Sequence, residues 1–150
     1  MDMSVIGSGD QWFSSRIRTG SIYRYIDAVQ RGGSREERLV AIIHLGETRD
    51  PRAVYPLMDC CAEKDPEIRR MAIEALGKIG SGRAVDTLAG CLGDTNEDLA
   101  VRISAISALA AIRSEHACQE LRSRAEDPGQ DPAIRSAIEA VMKKEQARQG

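Results

Sequence analysis

Apolar residues along this chain return at intervals of three and four, in blocks separated by turn residues. In "DPEIRRMAIEALGKIG" (Asp65–Gly80), Ile68, Met71, Ala72, Ala75, Leu76 and Ile79 fall at i, i+3, i+4, i+7, i+8 and i+11. That spacing puts them on one face of a 3.6-residue helix, not on the alternating sides of a strand. Asp65-Pro66 is a start signal: the aspartate caps free amides, and a proline at the first helical position lacks only an N–H that has no partner there. Asp131-Pro132 repeats it, and Ser34 and Asp98 cap without the proline. Gly77, Gly80 and Gly82 read as stop and turn signals. In the next block, "RAVDTLAGCL", Val85, Leu88 and Leu92 share a face. The pattern predicts helices over 21–31, 35–47, 52–63, 66–79, 83–92, 98–112, 115–125 and 132–147.

The blocks are copies of one another. A shift of 31 lays Ala41, Ile42, Leu45, Gly46, Arg52, Ala53, Val54, Leu57 and Cys60 on Ala72, Ile73, Leu76, Gly77, Arg83, Ala84, Val85, Leu88 and Cys91. A shift of 33 then brings Ala105, Ile106, Ala108, Leu109, Ala117 and Leu121 onto the same pattern. The last copy opens with "DPAIRSAIEAV", an echo of "DPEIRRMAIEAL" with one residue missing. Repeats near 21–48, 51–80, 83–113 and 115–147 make up an expected repeat domain over 21–150, preceded by a capping segment at 1–20. One pair of short amphipathic helices cannot hide its own stripe. Pairs stacked in series can, so the expected fold is all-α, an α-solenoid winding as a right-handed superhelix.

Arg38, Arg69, Arg102 and Arg135 each lie four residues after a cap, at one flank of the stripe. A guanidinium there faces the junction with the next repeat, where its stem packs on apolar atoms and its fork bonds a carboxylate. With Asp65, Asp98 and Asp131 to hand, the expectation is a ladder of Asp–Arg pairs between repeats. An anion-binding row is the other reading.

The motif D-P-x-I-R-x-x-A-I-x-A-L-G-x-I-G followed by R-A-V-x-x-L resembles the HEAT-like repeats of the phycobilisome bilin lyase type. Pro56, in "VYPL", looks like the proline inside the first helix of a HEAT pair. The resemblance implies that the D-P-x-x-R helices line the concave face of the solenoid and that the preceding helices form the convex one. It does not fix a function, because such repeats serve scaffolds, adaptors and enzyme subunits alike.

On the helices that would line that face, the positions opposite the stripe are Leu39, Ile43 and Glu47; Arg70, Glu74 and Lys78; Ile103, Ser107 and Ala111; and Ser136, Glu139 and Lys143. A purely solvated face is polar throughout. Leu39, Ile43 and Ile103 break that rule beside Arg70, Glu74 and Lys78. This suits a protein or peptide partner, with apolar anchors and charges that set register. The competing explanation buries Leu39 and Ile43 under the N-terminal segment. His44 stands at a stripe position where other copies have Ala75, Ala108 and Ala140, as a structural histidine facing "DQWF"; His116 reads as a surface residue. Trp12 and Phe13 with Tyr23 and Tyr25 gather nearly all the aromatics before residue 26, which suits a cap over the first repeat or a pocket there.

Composition narrows the field. Aromatics are only 3%, so Ala, Ile, Leu and Val must build the core. The formal charge of −2 gives no case for nucleic acid, and Glu47, Glu74 and Glu139 argue against a cationic face. "AISALAAI" is far too short to span a bilayer, and no secretory leader is visible, so a cytoplasmic protein is expected. Four cysteines form no CxxC pair and read as reduced, apolar residues, with no metal or cofactor implied. One enzyme built on such repeats, deoxyhypusine hydroxylase, holds two irons with several His-Glu pairs. Here His44 precedes Leu45 and His116 precedes Ala117, and no G-x-S-x-G, phosphate loop or HExxH occurs. The expectation is a non-catalytic HEAT-like scaffold or adaptor, with a bilin lyase-like or other small-molecule-binding enzyme subunit as the alternative.

Overall fold

The computed structural model describes residues 22–150, which form helices and turns with no strand among them. Helix α1 covers 22–31 and is followed by α2 (Arg35–Thr48), α3 (Val54–Cys60), α4 (Pro66–Ile79), α5 (Val85–Gly93), α6 (Leu99–Ile112), α7 (Glu115–Glu126) and α8 (Pro132–Gln149). The expected capping segment at 1–20 lies outside the described residues. Helices α3 and α5 are each led in by one 3-10 turn, Pro51–Ala53 and Gly82–Ala84, absent from the periodic reading. Asp50 and Ser81 accept the amides of Arg52 and Arg83 and so tighten these starts. Pro56 falls in the first turn of α3, where a missing N–H costs nothing.

The helices that follow carry the caps. Ser34 forms a reciprocal capping box with Glu37, and Asp65 and Asp131 accept the amides of Glu67 and Ala133. Asp98 occupies the cap position of α6, but its side chain makes no capping bond.

Helices α2, α4, α6 and α8 pack side by side as one row, and α3, α5 and α7 form a second layer against it. Between the layers runs a single apolar core from Ile22 to Ile138, with Ile42, Leu45, Leu57, Ile73, Leu76, Leu88, Leu92, Ile106 and Leu109 fully buried. The chain is therefore an all-α solenoid of stacked helical pairs.

Gly77 does not end α4. It lies inside the helix, buried, as Gly46 does in α2. A Cβ on Gly46 would stand 2.9 Å from both Cα and Cβ of Ala75, and one on Gly77 would stand 2.9 Å from the Cα of Ala108. These glycines let neighbouring second helices touch backbone to backbone. The true stop is Gly80, at φ +73°, whose equivalents Arg49 (φ 54°) and Arg113 (φ 59°) hold the same left-handed turn without glycine.

The fourth repeat also differs from its sequence reading. No residue is missing: counted from Asp131, the buried and half-buried stripe is Ile134, Ile138, Val141 and Met142, and Ala140 is exposed. Glu139 then takes the position of the buried Ile42, Ile73 and Ile106, and it is exposed. On that register, Ala140 and Lys144 continue the exposed row in place of Glu139 and Lys143. No helix among the described residues is long and apolar enough to cross a membrane.

Gly77→Ala should lower unfolding free energy in urea by about 1–3 kcal/mol, because the new methyl meets backbone and not a side chain that can swing away. An unchanged or raised midpoint would mean that the seam opens without cost.

Candidate functional site

The arginine row exists, with partners other than those expected. On α4, the Arg69 guanidinium donates to both carboxylate oxygens of Glu97, each at 2.6 Å, and to the carbonyls of Glu63 (2.7 Å) and Lys64 (2.8 Å). It thus ties the loop of its own hairpin to the loop of the next. Arg38 on α2 reaches Glu63 at 2.6 Å, again one hairpin onward. Arg102, 6% exposed, donates to the carbonyl of Leu92, and Arg135 to those of Ala125 and Asp127.

The Asp–Arg ladder is therefore corrected. Asp65 is engaged by Arg35, which also bonds Glu67, and Asp98 and Asp131 contact no arginine of the row. The reason is reach: a guanidinium one turn into the helix extends past the cap to the loop before it. There the free carbonyls of the preceding helix and a loop carboxylate lie. Glu63 and Glu97 were the residues missed, although an acid just ahead of the cap is visible in both "EKDP" and "NED". Gln130 holds that place in the next loop and bonds the Arg124 carbonyl instead.

The Arg69–Glu97 contact is well shielded, with side-chain exposures of 18% and 6%. The bonded Arg69 guanidinium holds the Glu97 carboxyl below its ordinary range against the opposing cost of burial, and Glu97 holds Arg69 up in turn.

Across this braced row, the residues assigned to a binding face are displayed side by side. Ile43 on α2 is 38% exposed and Ile103 on α6 is 37% exposed, with Val40 and Leu99 more so. Between them on α4, Arg70 donates to Glu74 at 2.7 Å, one turn apart. Lys78 and Ser107 are exposed, whereas Leu39 is half-buried against the core. Two apolar patches thus flank an ion pair.

The opposite edge carries a second row that the sequence reading did not find. Arg52 lies over the ring of Tyr23 (5.3 Å to the centroid) and Arg83 over Tyr55 (5.9 Å). At the equivalent third position, His116 Nε2 meets Asp86 Oδ1 at 2.7 Å, which raises the histidine pKa. His44 is exposed and stacks on Tyr25, with ring centroids 4.8 Å apart. The expected "DQWF" partner lies outside the described residues.

A cleft of about 570 Å³ opens between α4 and α6, lined by Arg49, Glu74, Lys78, Ser104, Ser107 and Ala111. No group of three or more His, Cys, Asp or Glu among the described residues is placed to hold a metal ion.

Stacked helical pairs with an arginine at each junction define an α-solenoid of the HEAT type. The chain belongs to the HEAT repeats family, which it matches over residues 25–100 and 83–142. No curated protein sequence matches it. Among solved structures, human deoxyhypusine hydroxylase in complex with glycerol is similar, with a TM-score of 0.72 and 24% identity over 84% of this chain. The match spans 43% of the hydroxylase, and at this identity the likeness is one of fold. It overturns the expectation that the chain is not an enzyme. That expectation rested on the missing His-Glu pairs and catalytic motifs, and a fold shared with an enzyme means that the architecture lends it no support.

Arg69→Ala should cost about 1–3 kcal/mol in equilibrium unfolding, because the half-buried Glu97 loses its charge partner and keeps only the amide of Asp98. The folded Glu97 pKa is depressed, so its contribution is present above the ordinary glutamate value of about 4.3 and is lost as pH falls through the lower folded value. Glu97→Gln should flatten that acid limb of the stability–pH curve. A mutant curve parallel to wild type would remove the bridge from the account.

Proposed function

We propose that this chain is the partner-holding repeat array of a HEAT-type enzyme or enzyme assembly, working in the cytoplasm. The observation that carries the reading is the row Ile43, Arg70–Glu74, Ile103 on three adjacent helices. A peptide or partner helix laid across α2, α4 and α6 would bury two apolar contacts and take its register from the central charges, with Leu39, Lys78 and Ser107 beside them. The arginine row supports this by fixing the spacing of the helices that present these groups. The association with an enzyme draws on the fold shared with human deoxyhypusine hydroxylase, a protein more than twice the length matched here.

The test reverses the charge pair. Arg70→Glu with Glu74→Arg keeps an attractive i,i+4 pair on α4, in the order that favours a helix, so the fold stays intact. Retention of the partner captured by the wild-type chain should fall roughly tenfold or more at unchanged melting temperature. Undiminished retention would remove this face as the docking surface.

A second reading, a chain of the phycobilisome bilin lyase type, has the 570 Å³ cleft in its favour. Arg49 and Lys78 at its rim could pair with carboxylates, Ser104 and Ser107 could donate hydrogen bonds, and Ala108 and Ala111 offer apolar wall. A linear tetrapyrrole added to the protein should then change its visible absorption, and Lys78→Glu should suppress the change. A spectrum equal to that of the free pigment would exclude this reading.

A further inference from the structure

We propose that the third junction holds a small oxyanion, a phosphate or a carboxylate, on the guanidinium groups of Arg102 and Arg124. The site lies at the cap end of the stack and does not draw on the exposed row just described.

The second junction shows what a complete rung contains. Arg69 directs Nη1 to the carbonyls of its own loop, and Nε with Nη2 to Glu97. Glu97 stands just before the cap, and its carboxylate also accepts the amide of Asp98 at 2.8 Å. A shift of 33 lays Arg69, Cys91 and Glu97 on Arg102, Arg124 and Gln130. Gln130 repeats the backbone contact, its side-chain oxygen accepting the amide of Asp131 at 3.2 Å. It takes the place of the carboxylate without the charge, and its own amide donates to the carbonyl of Arg124. Where the second junction has a thiol, the third has another cation. One negative charge is lost there and one positive charge gained.

What remains is poorly compensated. Arg102 is 6% exposed, and its one side-chain hydrogen bond among the described residues runs from Nε to the carbonyl of Leu92 at 2.9 Å. Arg124 donates Nη2 to the carbonyl of Ala89 at 3.1 Å, its guanidinium lies against Gly93, and its Nε is buried without a partner. Both cations therefore gather on the last turn of α5. A helix C-terminus carries about half a negative charge, too little to balance two guanidinium groups. The acids nearby are engaged by the backbone: Asp94, Asp127 and Asp131 accept the amides of Asn96, Gly129 and Ala133. Neither arginine bonds a carboxylate among the described residues. Shielded cations in that state bear a desolvation cost that a bound anion relieves.

Access and geometry select the ligand. Among the described residues, the side-chain nitrogens that are buried and unpartnered are Nε of Arg38 and Nε of Arg124. The terminal nitrogens of Arg102 are therefore still reached by water. Their N–H groups form a planar edge that matches two oxygens of one carboxylate or phosphate.

The experiment follows the side-chain N–H signals of Arg102 and Arg124 in the isotope-labelled full chain by NMR, while sodium phosphate or sodium acetate replaces chloride at constant ionic strength. Both signals should shift saturably with at least one of these anions. Tighter phosphate assigns a phosphate ligand, and tighter acetate a carboxylate one. Gln130→Glu supplies from within the carboxylate that Glu97 gives Arg69, so anion affinity should fall by about tenfold or more. Arg102→Gln should abolish the shift at Arg124, with circular dichroism checking that the variant is folded. If it does not fold, the wild-type titration and Gln130→Glu decide the matter by themselves. Signals that stay in place, a shift that grows without saturating, or undiminished affinity in Gln130→Glu would overturn the proposal.

Discussion

Backbone contact between neighbouring second helices is the constraint on which the rest of this structure depends. A helical hairpin of this size leaves one apolar stripe uncovered, and only another hairpin can cover it. How closely the next hairpin arrives is set by the side chains at the contact. Gly46 against Ala75 and Gly77 against Ala108 reduce that contact to main chain and one methyl, so α2, α4 and α6 run nearly in touch. The third repeat has Ala110 where the others have glycine, and the fourth has Lys143. The tight seam therefore belongs to the first three repeats, the same ones that carry Ile43, Arg70, Glu74 and Ile103.

Apolar packing sets distance but is indifferent to rotation and slip, and the arginines supply what it lacks. Each rung uses carbonyls or a carboxylate that a loop would otherwise leave to water, although in the first rung the buried Nε of Arg38 finds no partner. The rungs are not alike. Arg69 bonds both its own loop and Glu97, Arg38 bonds Glu63, and Arg102 and Arg135 have carbonyls alone. Toward the fourth repeat the lateral tie shifts to the other end of the helices, where Arg113 meets Glu145 at 3.0 Å. The first two junctions are pinned at the caps and the third at the C-terminal end of α6.

Periodicity reveals helices well because burial imposes it, and the capped starts at Asp65-Pro66 and Asp131-Pro132 lie where the sequence puts them. It reveals less where one residue type can serve two purposes. Gly77 looks like a stop because glycine ends helices, and Gly80 does end α4. Only the position of Ala108, 31 residues on, shows that Gly77 is there for close approach. The aspartate partners failed for a related reason. Asp65 is near Arg69 along the chain, but a guanidinium is long, and Glu97 comes to it from the next repeat. The fourth repeat was misread because "IEA" recurs one residue early, whereas burial follows the count from the cap. The exposed row on α2, α4 and α6 was legible, since it is simply the complement of the stripe.

A repeat keeps geometry and lets chemistry drift, which makes departures from the pattern more informative than agreement with it. At the outer edge one position holds a cation over a ring twice, Arg52 on Tyr23 and Arg83 on Tyr55, and then His116 on Asp86. The place is constant, but the third rung alone has a charge that changes near neutral pH, with the acid beside it holding the imidazolium. The position of Cys60 becomes Cys91 and then Arg124, whose guanidinium bonds the carbonyl of Ala89. One site in the repeat thus carries a buried thiol, a half-buried thiol and a structural cation. The same holds on the presented face, where Leu39 and Ile43 give way to Arg70 and Glu74 and then to Ile103 and Ser107. Stacking asks only for the stripe and the seam, so those substitutions are not demanded by the fold.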